Sequence, residues 1–286
     1  MTSMNALLIG QSGSLAEAFA RGCAEREIPY ESVEETLLDD APCGTLDDTL
    51  KRLRPTVCVY TPELPPRDGG EEDSVAAWRT FCVRPVRLAE ACARRGIGLV
   101  TFSSHRVFDG SATEPYLEST PTCPSTARGR AEAAGEIAVL QAHREAIVIR
   151  TTAALDPWSP SDFVSSTLRL AESGNSVTVS ADEVVSPVYL PDLVSTVLAL
   201  VERGANGVWH VANSGATSMY QLVRTACTMA SLDPELVREQ ASPRAPDAHL
   251  SFTALRSGRG CSLPPLEDAL ARFMRARRAP SQKTST

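Results

Sequence analysis

Asn5-Ala6-Leu7-Leu8-Ile9-Gly10-Gln11-Ser12-Gly13-Ser14-Leu15-Ala16 decides the fold. A short apolar run over residues 5–9 leads into two glycines, and a helical pattern follows from Leu15 to about Arg26. Strand, glycine turn and helix in this order open a dinucleotide-type βαβ unit. Gly10 permits the tight turn, Gly13 lets backbone approach a pyrophosphate, and the small Ala16 stands where close helix–strand packing is needed. Amide N–H groups at the helix start attract phosphate. Gly10, Gln11, Ser12, Gly13, Ser14 and Leu15 are therefore candidate contacts for NAD or NADP. A tight turn that binds nothing has the same sequence, so both readings stay open here.

The alternation continues downstream. Strands are expected over residues 28–33, 57–60, 98–102 and 146–150, and helices over 46–53, 73–95 and 131–143. Short apolar strands separated by helices predict an α/β fold, a Rossmann-type doubly wound parallel sheet. After Arg150 the pattern changes. Helices are expected over 162–173, 191–203, 218–231 and 266–275, and strands over 176–179 and 208–211. This predicts a core over 1–155, a smaller C-terminal substrate lobe over 156–276 interleaved with it, and a polar disordered tail over 277–286. Residues 243–246 break the regularity.

The acid that reads a ribose should stand at the end of the second strand, where Glu34 and Glu35 fall. A carboxylate there accepts the 2′-hydroxyl of NAD and repels the 2′-phosphate of NADP. A solvated acidic loop is the equally weighted alternative.

Composition narrows the function. The chain has 286 residues, 43% hydrophobic and 22% charged, with a net charge of −7. An acidic protein lacks the basic face that nucleic acid needs. No apolar run approaches the roughly 18 residues of a membrane span, and the N-terminus lacks a basic leader. A cytoplasmic location is expected. Eight cysteines, Cys23, Cys43, Cys58, Cys82, Cys92, Cys123, Cys227 and Cys261, form no C-x-x-C pair. They read as small buried hydrophobes rather than zinc ligands.

Ser103-Ser104-His105-Arg106-Val107-Phe108-Asp109-Gly110 resembles the Ser-Thr-Asp-Tyr-Val-Phe-Asp-Gly signature of the dTDP-4-dehydrorhamnose reductase family, an extended, atypical branch of the short-chain dehydrogenases/reductases. Further matches follow in order: Pro115-Tyr116-Leu117-Glu118, Gly135-Glu136, Ile149-Arg150-Thr151, Asp162-Phe163-Val164 (for Asn-Phe-Val), Ser186-Pro187-Val188, Asp192-Leu193 and Gly207-Val208-Trp209-His210. The similarity spans roughly residues 4 to 275.

The resemblance implies hydride transfer from NAD(P)H to a 4-keto nucleotide sugar. It further implies a Tyr proton donor, a Lys four residues later on the same helix face, and a Ser or Thr at the preceding strand end. Ser104 fills the Ser/Thr place. Counting back from Gly135-Glu136 puts Arg128 in the Tyr place and Glu132 in the Lys place. Arg keeps its proton near neutral pH, and Glu132 puts an anion where a cation should hold the nicotinamide ribose. The two could form an i,i+4 ion pair instead. Losing general acid catalysis removes about 10²- to 10⁴-fold in rate.

Other positions depart as well. Small residues of the family after the third strand read here Val59-Tyr60-Thr61-Pro62-Glu63, and its Val-Asn-Ala reads Thr80-Phe81-Cys82. Tyr60, Thr61 and Ser103 remain candidate cofactor contacts. His105 could act as acid or base, since histidine titrates near about 6.5. Arg106 and Arg128 could clamp a phosphate or carboxylate. Tyr116 could supply a phenol if its loop folds back. His210 reads as core. The metal-linked acids of some family members have no match, so no metal is expected.

Three readings follow. The chain is an enzyme of secondary metabolism acting on a nucleotide sugar or small anionic metabolite by a non-standard mechanism. Or it is a catalytically silent NAD(P)-binding or regulatory homologue, like the regulatory β-subunit of methionine adenosyltransferase in the same branch. Or it is a 4-keto-sugar reductase with a relocated proton donor. A homodimer or a partner enzyme is compatible with each.

Overall fold

The computed structural model describes residues 4–10, 13–39, 45–62, 74–240 and 251–278. Gln11, Ser12, Cys43, Glu63, residues 243–246 and residues 279–286 lie outside them.

The apolar runs form a parallel sheet, as the alternation requires. Its first five strands are β1 (Ala6–Gly10), β2 (Tyr30–Val33), β3 (Val57–Thr61), β4 (Gly98–Ser104) and β5 (Ile147–Thr151). The sixth is Gly207–His210, and the order across the sheet is Gly207–His210, β5, β4, β3, β1, β2. Every neighbouring pair is parallel. The intervening helices are α1 (Ser14–Glu25), α2 (Thr45–Leu53), α3 (Ser74–Trp78), α4 (Arg84–Ala93) and α5 (Ala127–Ala142).

One face of the sheet packs Leu7, Ile9, Cys58, Tyr60 and Leu99 against Leu50, Leu88, Cys92 and Val139. Each large aliphatic side chain so buried contributes about 1.5–3 kcal/mol. These residues belong to a first compact unit made of 1–109, 118–151 and 194–210.

The second unit takes 110–117, 152–193 and 211–286. Its helices Phe163–Glu172, Met219–Met229 and Leu266–Arg278 enclose Leu168, Val223 and Phe273. Short strand pairs complete it, such as Val177–Ser180 beside Val237–Gln240. Arg272 chelates Asp192 at 2.6 and 2.7 Å.

The structure departs from the sequence pattern in three places. The helix expected over 73–95 is interrupted by a π turn at Arg79–Val83, just before Pro85, whose ring nitrogen has no hydrogen to donate. α5 begins at Ala127, four residues early, because the Thr126 hydroxyl caps it by accepting from the Gly129 amide at 3.0 Å. The last helix runs to Arg278, so the first two residues of the expected tail are helical. Among the described residues, no helix is long and apolar enough to cross a membrane.

Candidate active site

β4 ends on two serines, Ser103 and Ser104, paired in register with Arg150 and Thr151 of β5. α5 packs beside this strand end. A Cβ at Gly129 would collide with the Arg106 carbonyl, so only glycine lets the helix start approach this closely. The approach brings Glu132 onto Ser104, whose hydroxyl donates to Glu132 Oε2 at 2.6 Å. Arg128 Nε donates to Glu132 Oε1 at 2.8 Å, which realises the i,i+4 pair. The Glu132 side chain is 0% exposed and that of Arg128 is 29% exposed. The Arg128 guanidinium lies over the Phe81 ring, 4.5 Å from its centroid. An aromatic face attracts a guanidinium and fixes its plane.

A serine has one proton to donate, and that of Ser104 goes to Glu132. Ser104 Oγ also accepts from the Arg106 amide at 3.1 Å. In this structure the Ser104 hydroxyl is thus engaged with Glu132.

One turn further along α5 the same three residue types recur. Ser103 Oγ donates to Glu136 Oε1 at 2.5 Å. Arg150 grips Glu136 with Nε at 2.8 Å and Nη2 at 2.6 Å. Arg150 lies 5.2 Å from the Phe108 centroid and places Nη1 3.4 Å from His210 Nε2. His210 is buried against Phe108, with ring centroids 6.0 Å apart, which agrees with its reading as core. Ser103, expected as a cofactor contact, is thereby tied to Glu136.

At the other side of the sheet, a cleft of about 290 Å³ opens at the end of β1, lined by Gly10, Ala16, Glu17, Ser32, Val33 and Glu34. A Cβ at Gly10 would strike Thr61, so β1 and β3 approach closely at the cleft floor. Gly13 stands immediately before α1, with Ser14 and Leu15 as its first two residues. The adjacent acids separate. Glu34 is exposed at the cleft, whereas Glu35 is buried and paired with Arg84 at 2.7 Å. Arg84 also chelates Asp39 with two contacts of 2.8 Å, and this hydrogen bonding holds the Asp39 carboxyl below its usual range. Tyr60 turns into this cluster: its hydroxyl donates to the Thr80 carbonyl at 2.9 Å, and burial raises its pKa. Tyr60, expected as a cofactor contact, is thus fully buried with its hydroxyl turned into this cluster. Thr61 Oγ1 donates to the Ile9 carbonyl at 3.3 Å.

His105 opens the 3-10 turn that follows β4 and is buried. Arg106 is half-buried beside it. Tyr116 belongs to the second unit, where it is buried, its hydroxyl accepting from the Ala112 amide at 3.2 Å. The structure brings Ser104, Arg128 and Glu132 into one cluster and leaves Tyr116 outside the unit that holds them. Among the described residues, no group of three or more His, Cys, Asp or Glu side chains converges as a metal site. Phe81 escaped the sequence reading as a site residue, although Phe81 was visible as a departure from the family's Val-Asn-Ala.

The cleft at the end of β1 thus combines a close-approach glycine with the exposed Glu34. The Glu132 position holds a buried carboxylate paired with Arg128.

Comparison with known proteins agrees with the architecture. The family described as RmlD substrate binding domain matches residues 4–278. A dTDP-4-dehydrorhamnose reductase of Mycobacterium tuberculosis is 35% identical over 227 residues, covering 76% of this chain and 75% of that one. A probable dTDP-4,6-dihydroxy-2-methyloxan-3-one 4-ketoreductase of Streptomyces antibioticus is 31% identical over 271 residues, covering 93% and 92%. Among solved structures, the dTDP-4-dehydrorhamnose reductase of Bacillus anthracis in complex with NADP superposes with a TM-score of 0.84 at 22% identity, covering 95% and 99%.

Proposed function

The chain belongs to the RmlD substrate binding domain family and is related to dTDP-4-dehydrorhamnose reductase, and we propose that it acts in biosynthesis on a keto-sugar nucleotide through a fixed guanidinium instead of a phenol–ammonium proton relay. The observation that carries this reading is the bonded Ser104–Glu132–Arg128 set, at the positions to which the sequence resemblance, counted from Gly135-Glu136, assigns the family's catalytic groups.

Gly10, Gly13, Ser14, Leu15 and Glu34 would hold the adenosine half of NADH or NADPH, whose reduced nicotinamide would supply a hydride. The protein's own contribution lies at Arg128. A guanidinium donates hydrogen bonds and carries a fixed charge, but it does not release a proton near neutral pH. It can therefore stabilise negative charge growing on a carbonyl oxygen, the role of an oxyanion hole, without completing a reduction. Glu132 aims the guanidinium, Phe81 holds its plane, and Ser104 holds Glu132. The proton for any net reduction must come from another group, with His105, Tyr116 and water as the sources to test. The acidic chain and a nucleotide-sugar substrate both suit the cytoplasm.

Calorimetric titration of dTDP and a dTDP-4-keto-6-deoxysugar tests the reading. Arg128→Met should weaken the keto sugar at least about tenfold, one lost charge-assisted hydrogen bond, and leave dTDP unchanged. Equal binding of the keto sugar by both proteins would remove Arg128 from the carbonyl. The silent, regulatory reading draws on the mutual bonding of Ser104, Glu132 and Arg128. It predicts dinucleotide binding with no turnover of any keto sugar.

A further inference from the structure

We propose that Asp156 and Asp162 form a proton-operated latch on the loop 156–162 of the second unit. The loop is closed while one carboxyl of the pair holds a proton, and it loosens when both are ionised.

The geometry of the loop carries the proposal. Asp156-Pro157-Trp158-Ser159-Pro160-Ser161-Asp162 joins the short strand Ala154–Leu155 to the helix Phe163–Glu172. Its two prolines have no amide hydrogen to donate, and the two carboxylates take the amides at its start. Asp162 Oδ1 accepts from the Asp156 amide at 3.2 Å, and Oδ2 accepts from the Ser165 amide at 3.1 Å. One carboxyl thus bridges the first residue of the loop and the first turn of the helix. Asp156 Oδ1 accepts from the Trp158 amide at 2.9 Å, and Asp156 is 5% exposed. Inside the loop, the Ser161 and Asp162 amides donate to the Ser159 hydroxyl and carbonyl, both at 3.3 Å. The tie between the two ends is the bond from the Asp156 amide to Asp162.

The charges around the pair oppose double ionisation. Burial raises the Asp162 pKa to about 6, and the Asp156 charge adds to the rise. Asp156 also faces Tyr189, whose other charged neighbours are Arg272, Asp192 and Arg275. Arg272 is itself bound by Asp192 and Asp268 at 2.6 to 2.7 Å. A partly buried carboxylate beside a like charge regains hydration by turning outward, and that turn breaks its bond to the Asp156 amide. The sequence resemblance gives an asparagine where Asp162 stands. An asparagine offers the same acceptor oxygen and has no proton to lose, so the pH dependence comes from this chain's own aspartate.

Trp158 lies within the loop and reports on it. With Trp78→Phe and Trp209→Phe it is the sole tryptophan of the chain, and acrylamide quenching of its fluorescence then reads how open the loop is. In that background the native pair, Asp162→Asn and Asp156→Asn are compared from about pH 4 to about pH 8, with thermal melts to verify that all fold. Quenching in the native pair should be low in acid and rise in one step near pH 6. Asp162→Asn should keep the low acid value throughout. Asp156→Asn should move the step to lower pH, because the like charge is gone. His105, His143 and His210 belong to the first unit and are intact in every variant, so a histidine-driven step would persist in Asp162→Asn. Hydrogen exchange of residues 156–162 in the unaltered chain, corrected for the intrinsic pH dependence of exchange, gives the same readout without substitutions. A flat profile for the native pair, or a step that persists in Asp162→Asn, would overturn the latch. A step at an unchanged pH in Asp156→Asn would overturn the pairing of the two carboxyls.

Discussion

Two neighbouring clusters on α5 use the same three residue types to opposite ends. In Ser103–Glu136–Arg150 the Arg side chain is 5% exposed and grips the carboxylate with two bonds. In Ser104–Glu132–Arg128 the carboxylate is equally buried, but the Arg side chain is 29% exposed and makes its contact through Nε. The first cluster is closed and ties β4, β5 and α5 together. The second is anchored at its serine end and reaches solvent at its guanidinium end. A carboxylate taken out of water needs a cation in either place. Where that cation meets solvent, it can also meet a ligand.

The largest expected effect breaks the closed cluster. Arg150→Met leaves Glu136 buried and unneutralised and should cost about 3–5 kcal/mol of stability. Arg128→Met should cost less, about 1–2 kcal/mol, since water can reach the vacated end of Glu132. Urea denaturation of both variants measures the two losses, and equal losses would erase the distinction between closed and open clusters.

The next effect concerns the ligand. Arg128→Tyr combined with Glu132→Lys restores a cation facing the nicotinamide ribose and should tighten NADH about tenfold in calorimetry. Wild type binding as tightly as this double variant would mean that the two residues do not face the cofactor.

The smallest effect comes from a carboxylate held only by amides. Asp162 caps the helix Phe163–Glu172 by accepting from the Ser165 amide at 3.1 Å, and burial pushes its pKa up to about 6. Its folded pKa exceeds the unfolded value of about 3.9. The folded state is therefore favoured at low pH, and that stability is lost as pH rises through about 6. Asp162→Asn keeps the cap and drops the charge. It should raise stability at pH 8 and change little at pH 4. Thermal melts across that range check the sign.

The sheet was legible because buried parallel strands are written as continuous apolar runs, such as Leu7-Leu8-Ile9 and Val57-Cys58-Val59. The positions of Arg128 and Glu132, and the pair they form, were legible from helical spacing and from the fixed Gly135-Glu136 landmark. The start of α5 was not, because its buried face is made of Gly129, Ala131, Glu132, Gly135 and Glu136, which carry no apolar stripe. Partners distant in the chain were also hidden. Ser104 and Glu132 lie 28 positions apart, and Tyr60 meets the Thr80 carbonyl across 20. Phe81 showed in the sequence only as a departure from the family. Its meaning emerged once Arg128 was found stacked on it, and the two substitutions then read as one change. The split between Glu34 and Glu35 depended on Arg84, which arrives from another helix.

The central claim is that the guanidinium and carboxylate of α5 have displaced the proton relay. It is tested most directly by NADH and NADPH oxidation with a dTDP-4-keto-6-deoxysugar, run beside the mycobacterial reductase under identical conditions. The account predicts wild-type turnover at least about 10²-fold below that enzyme, the lower bound for losing general acid catalysis. Turnover equal to that of the mycobacterial reductase would contradict it.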